Sequence, residues 1–118
     1  MIGEIWTYVA TKPSDNLTKV RPILVIGNDK ENGLKFVDIH YVIISSSANC
    51  GKYDIELGEK IAKSIGLARK SIIKTTKIYT GSKSKLGNSI SDLPDDIKKE
   101  FIEKYKEYQL NLILKFEE

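Results

Sequence analysis

The run Val20-Arg21-Pro22-Ile23-Leu24-Val25-Ile26-Gly27-Asn28-Asp29 sets the tightest limit on what this chain can become. Five consecutive apolar or proline positions follow one arginine, and such an unbroken aliphatic, largely β-branched stretch predicts a strand buried on both faces. Gly27, Asn28 and Asp29 tolerate turn geometry and close it. Arg21 stands at the mouth of this strand, and Pro22 holds it in an extended conformation. A guanidinium fixed there has two uses: a planar fork of donors for a phosphate, or a surface ion pair with a carboxylate.

The rest of the chain reads as short strands around that one. Ile5 to Ala10 is rich in β-formers, and Thr11 to Lys19 reads as a loop around Pro13, Ser14, Asp15 and Asn16. Asn32-Gly33 is a hairpin signal, and Phe36 to Ile44 is the next strand. Ser45 to Lys52 is a polar loop, Tyr53 to Leu57 alternates as a short strand, and Glu59 to Ile65 is a short helix ended by Gly66. Ser71 to Thr80 is β-branched almost throughout, Gly81-Ser82 breaks it, and Leu86 to Ser91 makes a last strand. Pro94, with Asp92, Asp95 and Asp96, opens a long helix whose Ile97, Phe101, Tyr105, Tyr108 and Leu112 recur at three and four residues. About six short strands and one long terminal helix predict a mainly β, α+β architecture: a small, strongly bent β-barrel with a C-terminal helix packed on it. At 118 residues, one domain spanning 1–118 is expected.

Charge and composition narrow the functional classes. From Lys60 to Ser91 there are eight basic residues and no Asp or Glu, whereas Asp92 to Glu118 carries eight acids against five bases. A positive field in mid-chain suits a polyanion, or is a lysine-rich solvated surface. Cys50 and His40 are the only residues of their types, so neither a disulfide nor a zinc cluster is expected and the metal assignment is none. Apolar runs of about five residues are too short to span a bilayer. With no signal-peptide pattern at Met1-Ile2-Gly3-Glu4, a cytoplasmic protein without membrane contact is expected. No phosphate-cradling glycine loop, nucleophile elbow or metal-binding helix appears. His40, between Ile39 and Tyr41, reads as structural; Cys50, beside Gly51 and Lys52, has no partner histidine nearby in sequence; Trp6 reads as core.

Gly3-Glu4-Ile5-Trp6, then Val20 to Asp29, resembles the opening of the MazF/PemK (Kid-like) family of bacterial toxins. Val42-Ile43-Ile44-Ser45-Ser46 resembles that family's strand ending in Thr or Ser. Tyr53 to Leu57, Gly66-Leu67, Ser71-Ile72-Ile73, Ile78 to Leu86 and Ile90 to Leu93 follow in the family's order. The resemblance implies an SH3-like barrel acting as a homodimer. It implies a toxin that cuts single-stranded RNA, mostly mRNA, sequence-specifically, through the 2′-hydroxyl and without a metal or other cofactor. It also implies a cognate acidic antitoxin as partner, with DNA reached only through that antitoxin. By position, Arg21 takes the catalytic arginine, Ser45 the Thr/Ser place with Ser46 one step away, and Lys19, Lys52, Lys74, Thr76, Lys77 and Tyr79 the RNA-binding surface. Lys77 and Tyr79 stand where the family usually has Gln and Arg. The proton carrier stays open, with His40 among the candidates. A rival implication of the fold is a non-catalytic barrel that inhibits a protein such as a topoisomerase subunit, or a family member that has lost activity.

Overall fold

The computed structural model describes the backbone of residues 1–12 and 17–118, and the side chains of residues 1–9 and 19–118. Six strands form one antiparallel sheet: β1 (Glu4–Lys12), β2 (Leu17–Asn28), β3 (Asp38–Ser45), β4 (Ile55–Leu57), β5 (Ser71–Ser82) and β6 (Leu86–Asp92). They lie in the order β4-β5-β3-β2-β1-β6 and curl into a half-barrel. Helix α1 (Glu59–Ser64) precedes β5, and α2 (Asp95–Phe116) closes the chain.

The central β2 behaves as its sequence predicts: Ile23, Leu24 and Val25 are all buried. Alternation sends Leu24 into the larger core, with Ile5, Val42, Ile44, Ile55, Leu57, Ile73 and the first turns of α2. Ile23 and Val25 point the other way, into a second core with Tyr8 and Ile39 that Trp6, Phe36, Tyr41 and Leu86 cover. The sheet is thus sandwiched because both its faces are apolar at β2. Burying each such side chain contributes about 1.5–3 kcal/mol.

Several boundaries differ from the sequence reading: β3 runs Asp38–Ser45 where Phe36 to Ile44 is expected, and β4 begins at Ile55 where Tyr53 is expected. Thr11 and Lys12 continue β1, and Leu17 to Lys19 belong to β2, paired as Ala10↔Lys19, Thr11↔Thr18 and Lys12↔Leu17. Residues 13–16 of the predicted loop lie outside the described residues. Arg21 is consequently the fifth residue of β2, not its first. Gly81-Ser82 does not break β5, because both remain paired to β3, as Ile39↔Gly81 and Asp38↔Ser82. Between β2 and β3 the chain makes a 3-10 turn, Asp29–Asn32, capped by the Asn28 side chain accepting from the Lys30 N–H at 2.9 Å, with Gly33 left-handed at φ 72°. Trp6 is half-buried against the second core, its Nε1 donating to Glu4 Oε1 at 3.1 Å. The apolar stripe of α2 is buried only at Ile97 and Phe101; Leu112 is exposed.

One glycine controls the second core. A Cβ at Gly81 would land on the Tyr8 hydroxyl and press the Tyr8 and Tyr41 rings. Gly81→Ala should therefore cost about 1–3 kcal/mol, read as a lowered thermal midpoint with loss of near-ultraviolet tyrosine ellipticity.

Candidate active site

The β2–β3 ladder runs as far as Ile23↔Ile43, so Arg21 and Ser45 each lie two residues beyond its end on neighbouring strands. Both line a single cleft of about 540 Å³ with Lys19, Pro22, Ser46 and Ser47. Gly66-Leu67-Ala68-Arg69 forms another part of its wall. It stands there because the Leu67 N–H caps α1 on the Ala62 carbonyl at 2.9 Å while Gly66 takes φ 90°. A Cβ at Gly66 would collide with Ile90 Cγ2, so glycine is what lets this wall close on the cleft.

The cleft is cationic and rich in hydroxyls. Lys19, Arg21 and Arg69 are exposed, and among the described residues none of them forms an ion pair. The Ser45 Oγ accepts the Ser47 N–H at 3.3 Å, which orients the hydroxyl and leaves its proton to donate outward. Among the described residues, no His, Asp or Glu lines the cleft. Two guanidiniums lining one cleft with serine hydroxyls suit a tetrahedral or pentacoordinate oxyanion such as a phosphoryl group.

The predicted site residues separate into two groups. Lys19, Arg21, Ser45 and Ser46 come together in the cleft. Lys52, Lys74, Thr76, Lys77 and Tyr79 do not line it. Lys52 lies over the Tyr53 ring at 5.3 Å. Lys74 is engaged within the fold: its Nζ donates to Asp54 Oδ2 at 2.6 Å and to the Asn49 carbonyl at 2.8 Å. Thr76 is half-buried, and Lys77 and Tyr79 are exposed on the distal half of β5. His40 sits five residues from Ser45 along β3, about 17 Å at strand rise, which removes it from the reacting atoms. Cys50 is exposed and outside the cleft. Sequence reasoning missed Arg69 as a site residue; the available signal was its place within the acid-free segment, directly after the Gly66 helix end.

The model of the PemK-like, MazF-like toxins of type II toxin–antitoxin systems matches residues 2–107. The chain belongs to this toxin family. A sequence search of curated proteins gave no match. Among solved structures, the MazE–MazF complex of Deinococcus radiodurans is similar at TM-score 0.69 and 15% identity, over 92% of this chain and 93% of that one. A mycobacterial endoribonuclease solved with its cognate antitoxin gives 0.65 and 14%, over 89% of each chain. The Mycobacterium tuberculosis toxin MazF-mt6 gives 0.63 and 15%, over 85% and 91%. These likenesses show a shared fold, the curled half-barrel with its C-terminal helix. Among the described residues of this toxin-family chain, no helix is long and apolar enough to cross a membrane.

Proposed function

We propose that this toxin-family protein is an endoribonuclease that cuts single-stranded RNA in the Arg21–Ser45 cleft, by attack of a ribose 2′-oxygen on the adjacent phosphorus. The observation that carries the reading is the convergence of Arg21, Arg69 and the Ser45 hydroxyl on one cleft that, among the described residues, has no carboxylate. Family membership and the endoribonuclease named among its structural neighbours support it.

Arg21 and Arg69 hold the non-bridging oxygens and stabilise the charge that grows on them, an effect worth about 10²–10³ in rate per donor in comparable oxyanion sites. Ser45 donates to a phosphoryl oxygen and fixes the in-line approach, with Ser46 as its neighbour on the same rim. Lys19 holds the flanking backbone. As the 2′-oxygen bonds to phosphorus, the bond to the 5′-oxygen breaks, leaving a 2′,3′-cyclic phosphate and a 5′-hydroxyl. Among the described residues lining the cleft there is neither imidazole nor carboxylate, so water takes the 2′-proton and water protonates the departing 5′-oxygen; no bell-shaped pH dependence is expected and the rate rises with pH through neutrality. The chemistry calls on no metal.

The same cationic cleft suits an acidic, partly disordered antitoxin that folds on binding; one structural neighbour is an endoribonuclease in complex with its cognate antitoxin and another a MazE–MazF complex. We place the protein in the cytoplasm, where its RNA is, and as a homodimer.

The test is incubation of the purified protein with long single-stranded RNA and excess chelator. Discrete cuts are expected; intact RNA would favour the barrel as a non-catalytic inhibitor. Affinity for RNA should fall with salt, with a log–log slope of roughly −0.7 per phosphate neutralised. Three cleft cations predict a slope near −2.

A further inference from the structure

Tyr8, Tyr41 and Tyr79 form a ladder that the cleft does not use. Tyr8 and Tyr41 have ring centroids 4.8 Å apart, and Tyr41 and Tyr79 are stacked at 5.7 Å with 21° between planes. Tyr8 is buried, whereas Tyr79, at the outer end, is 44% exposed. Burial, with Tyr8 and Tyr79 beside it, pushes the Tyr41 hydroxyl up to about 12, so the middle rung stays neutral. Tyr41 pairs with Tyr79 across β3 and β5, and Tyr41 lies four residues from Ser45 on the same strand and the same face. Strand rise makes that separation about 13 Å. Lys77, two residues before Tyr79, is exposed as well.

We infer that Tyr79, the exposed rung stacked on Tyr41, is a base-stacking platform for a nucleotide flanking the phosphate held at Arg21 and Ser45. The inference rests on the proposed nuclease function and adds a subsite to it. An aromatic ring held rigidly from behind presents its area at little entropic cost, and every base has a face to lay on it. Lys77 supplies the cation for the adjoining phosphate. The subsite contributes to binding alone, since it is remote from the reacting atoms.

The test uses the whole protein, with single-stranded RNA carrying an abasic nucleotide at each position in turn around the cut site. Tyr79→Leu should raise KM about tenfold with kcat within a factor of about two, one base–aromatic stack being of this order. Tyr79→Phe should keep tight binding. In the wild type, one abasic position flanking the cut should carry the same tenfold penalty, and that penalty should vanish in Tyr79→Leu. Binding measured in the Arg21→Ala background separates this from the nuclease reading. RNA that is bound in a Tyr79-dependent way but never cut by the wild type sinks the nuclease and spares the platform. RNA that is cut while Tyr79→Leu keeps wild-type KM and Kd overturns the platform alone, and absence of any RNA binding overturns both.

Discussion

Arg21→Ala should lower RNA cleavage by about 10³ or more while leaving the fold intact. The fold survives because Arg21 is exposed and, among the described residues, pairs with no carboxylate, so its side chain holds nothing together. The loss is large because two effects coincide. The missing guanidinium removes charge stabilisation where the phosphorane forms, and it removes a fork that fixes the phosphate against Ser45. Arg21→Lys should recover only part of the rate, since an ammonium supplies the charge without the bidentate geometry. Arg69→Ala is expected to cost less, because Arg69 hangs from a loop wall whereas Arg21 is clamped between Val20 and Pro22 in a paired strand. Cleavage assays at saturating RNA, with circular dichroism to verify folding, decide both points. Unchanged cleavage by Arg21→Ala would remove this residue from the mechanism.

The second large effect is structural. Asp54 is 4% exposed in its side chain and accepts Lys74 Nζ at 2.6 Å and the Gly51 N–H at 2.7 Å. Lys74, 16% exposed, also reaches the Asn49 carbonyl. This pair ties the segment after Ser45–Ser47 back onto β5. Asp54→Ala would leave a half-buried cation without its anion, which costs about 3 kcal/mol, the lower end for a buried pair. In a chain of this size that lowers the thermal midpoint by roughly 10 °C or more. Replacing both partners, Asp54→Leu with Lys74→Met, should recover most of the loss, because the main penalty is the unpaired charge. A thermal melt of the two single variants and the double completes the cycle. If each single change costs under about 1 kcal/mol, the pair behaves as a surface bridge and this account of the loop is wrong.

Lys74 also marks where sequence reading stops. Its place in a basic strand made it look like a phosphate ligand, but ion pairs depend on what tertiary structure brings opposite, and Asp54 lies twenty residues away. Arg69 is the converse case. Nothing local distinguishes it from the other bases of the acid-free segment; it enters the site because Gly66 turns the chain toward the cleft. What was legible came from periodicity and from residues with one dominant local meaning. Ile23 to Val25 is apolar without alternation and is buried on both faces. Pro94 with Asp95 and Asp96 opens α2. The ends of strands were not legible: Lys12 and Leu17 extend the β1–β2 hairpin because each strand lends the other its hydrogen bonds, whatever their own propensities. Gly81 stays in β5 for a packing reason, the Tyr8 ring lying across it. That Arg21 and Ser45 share a cleft was legible only through the family resemblance; the β2–β3 register, which brings their strands together, supplies its physical cause.

If RNA is cut in this cleft by its own ribose 2′-oxygen, the product ends record it. End-group analysis of the cleavage products should find 2′,3′-cyclic phosphate and 5′-hydroxyl termini, formed in chelator and abolished by a single 2′-deoxy substitution at the nucleotide before the cut. Products ending in 3′-hydroxyl and 5′-phosphate, or cleavage that survives the 2′-deoxy substitution, would contradict it.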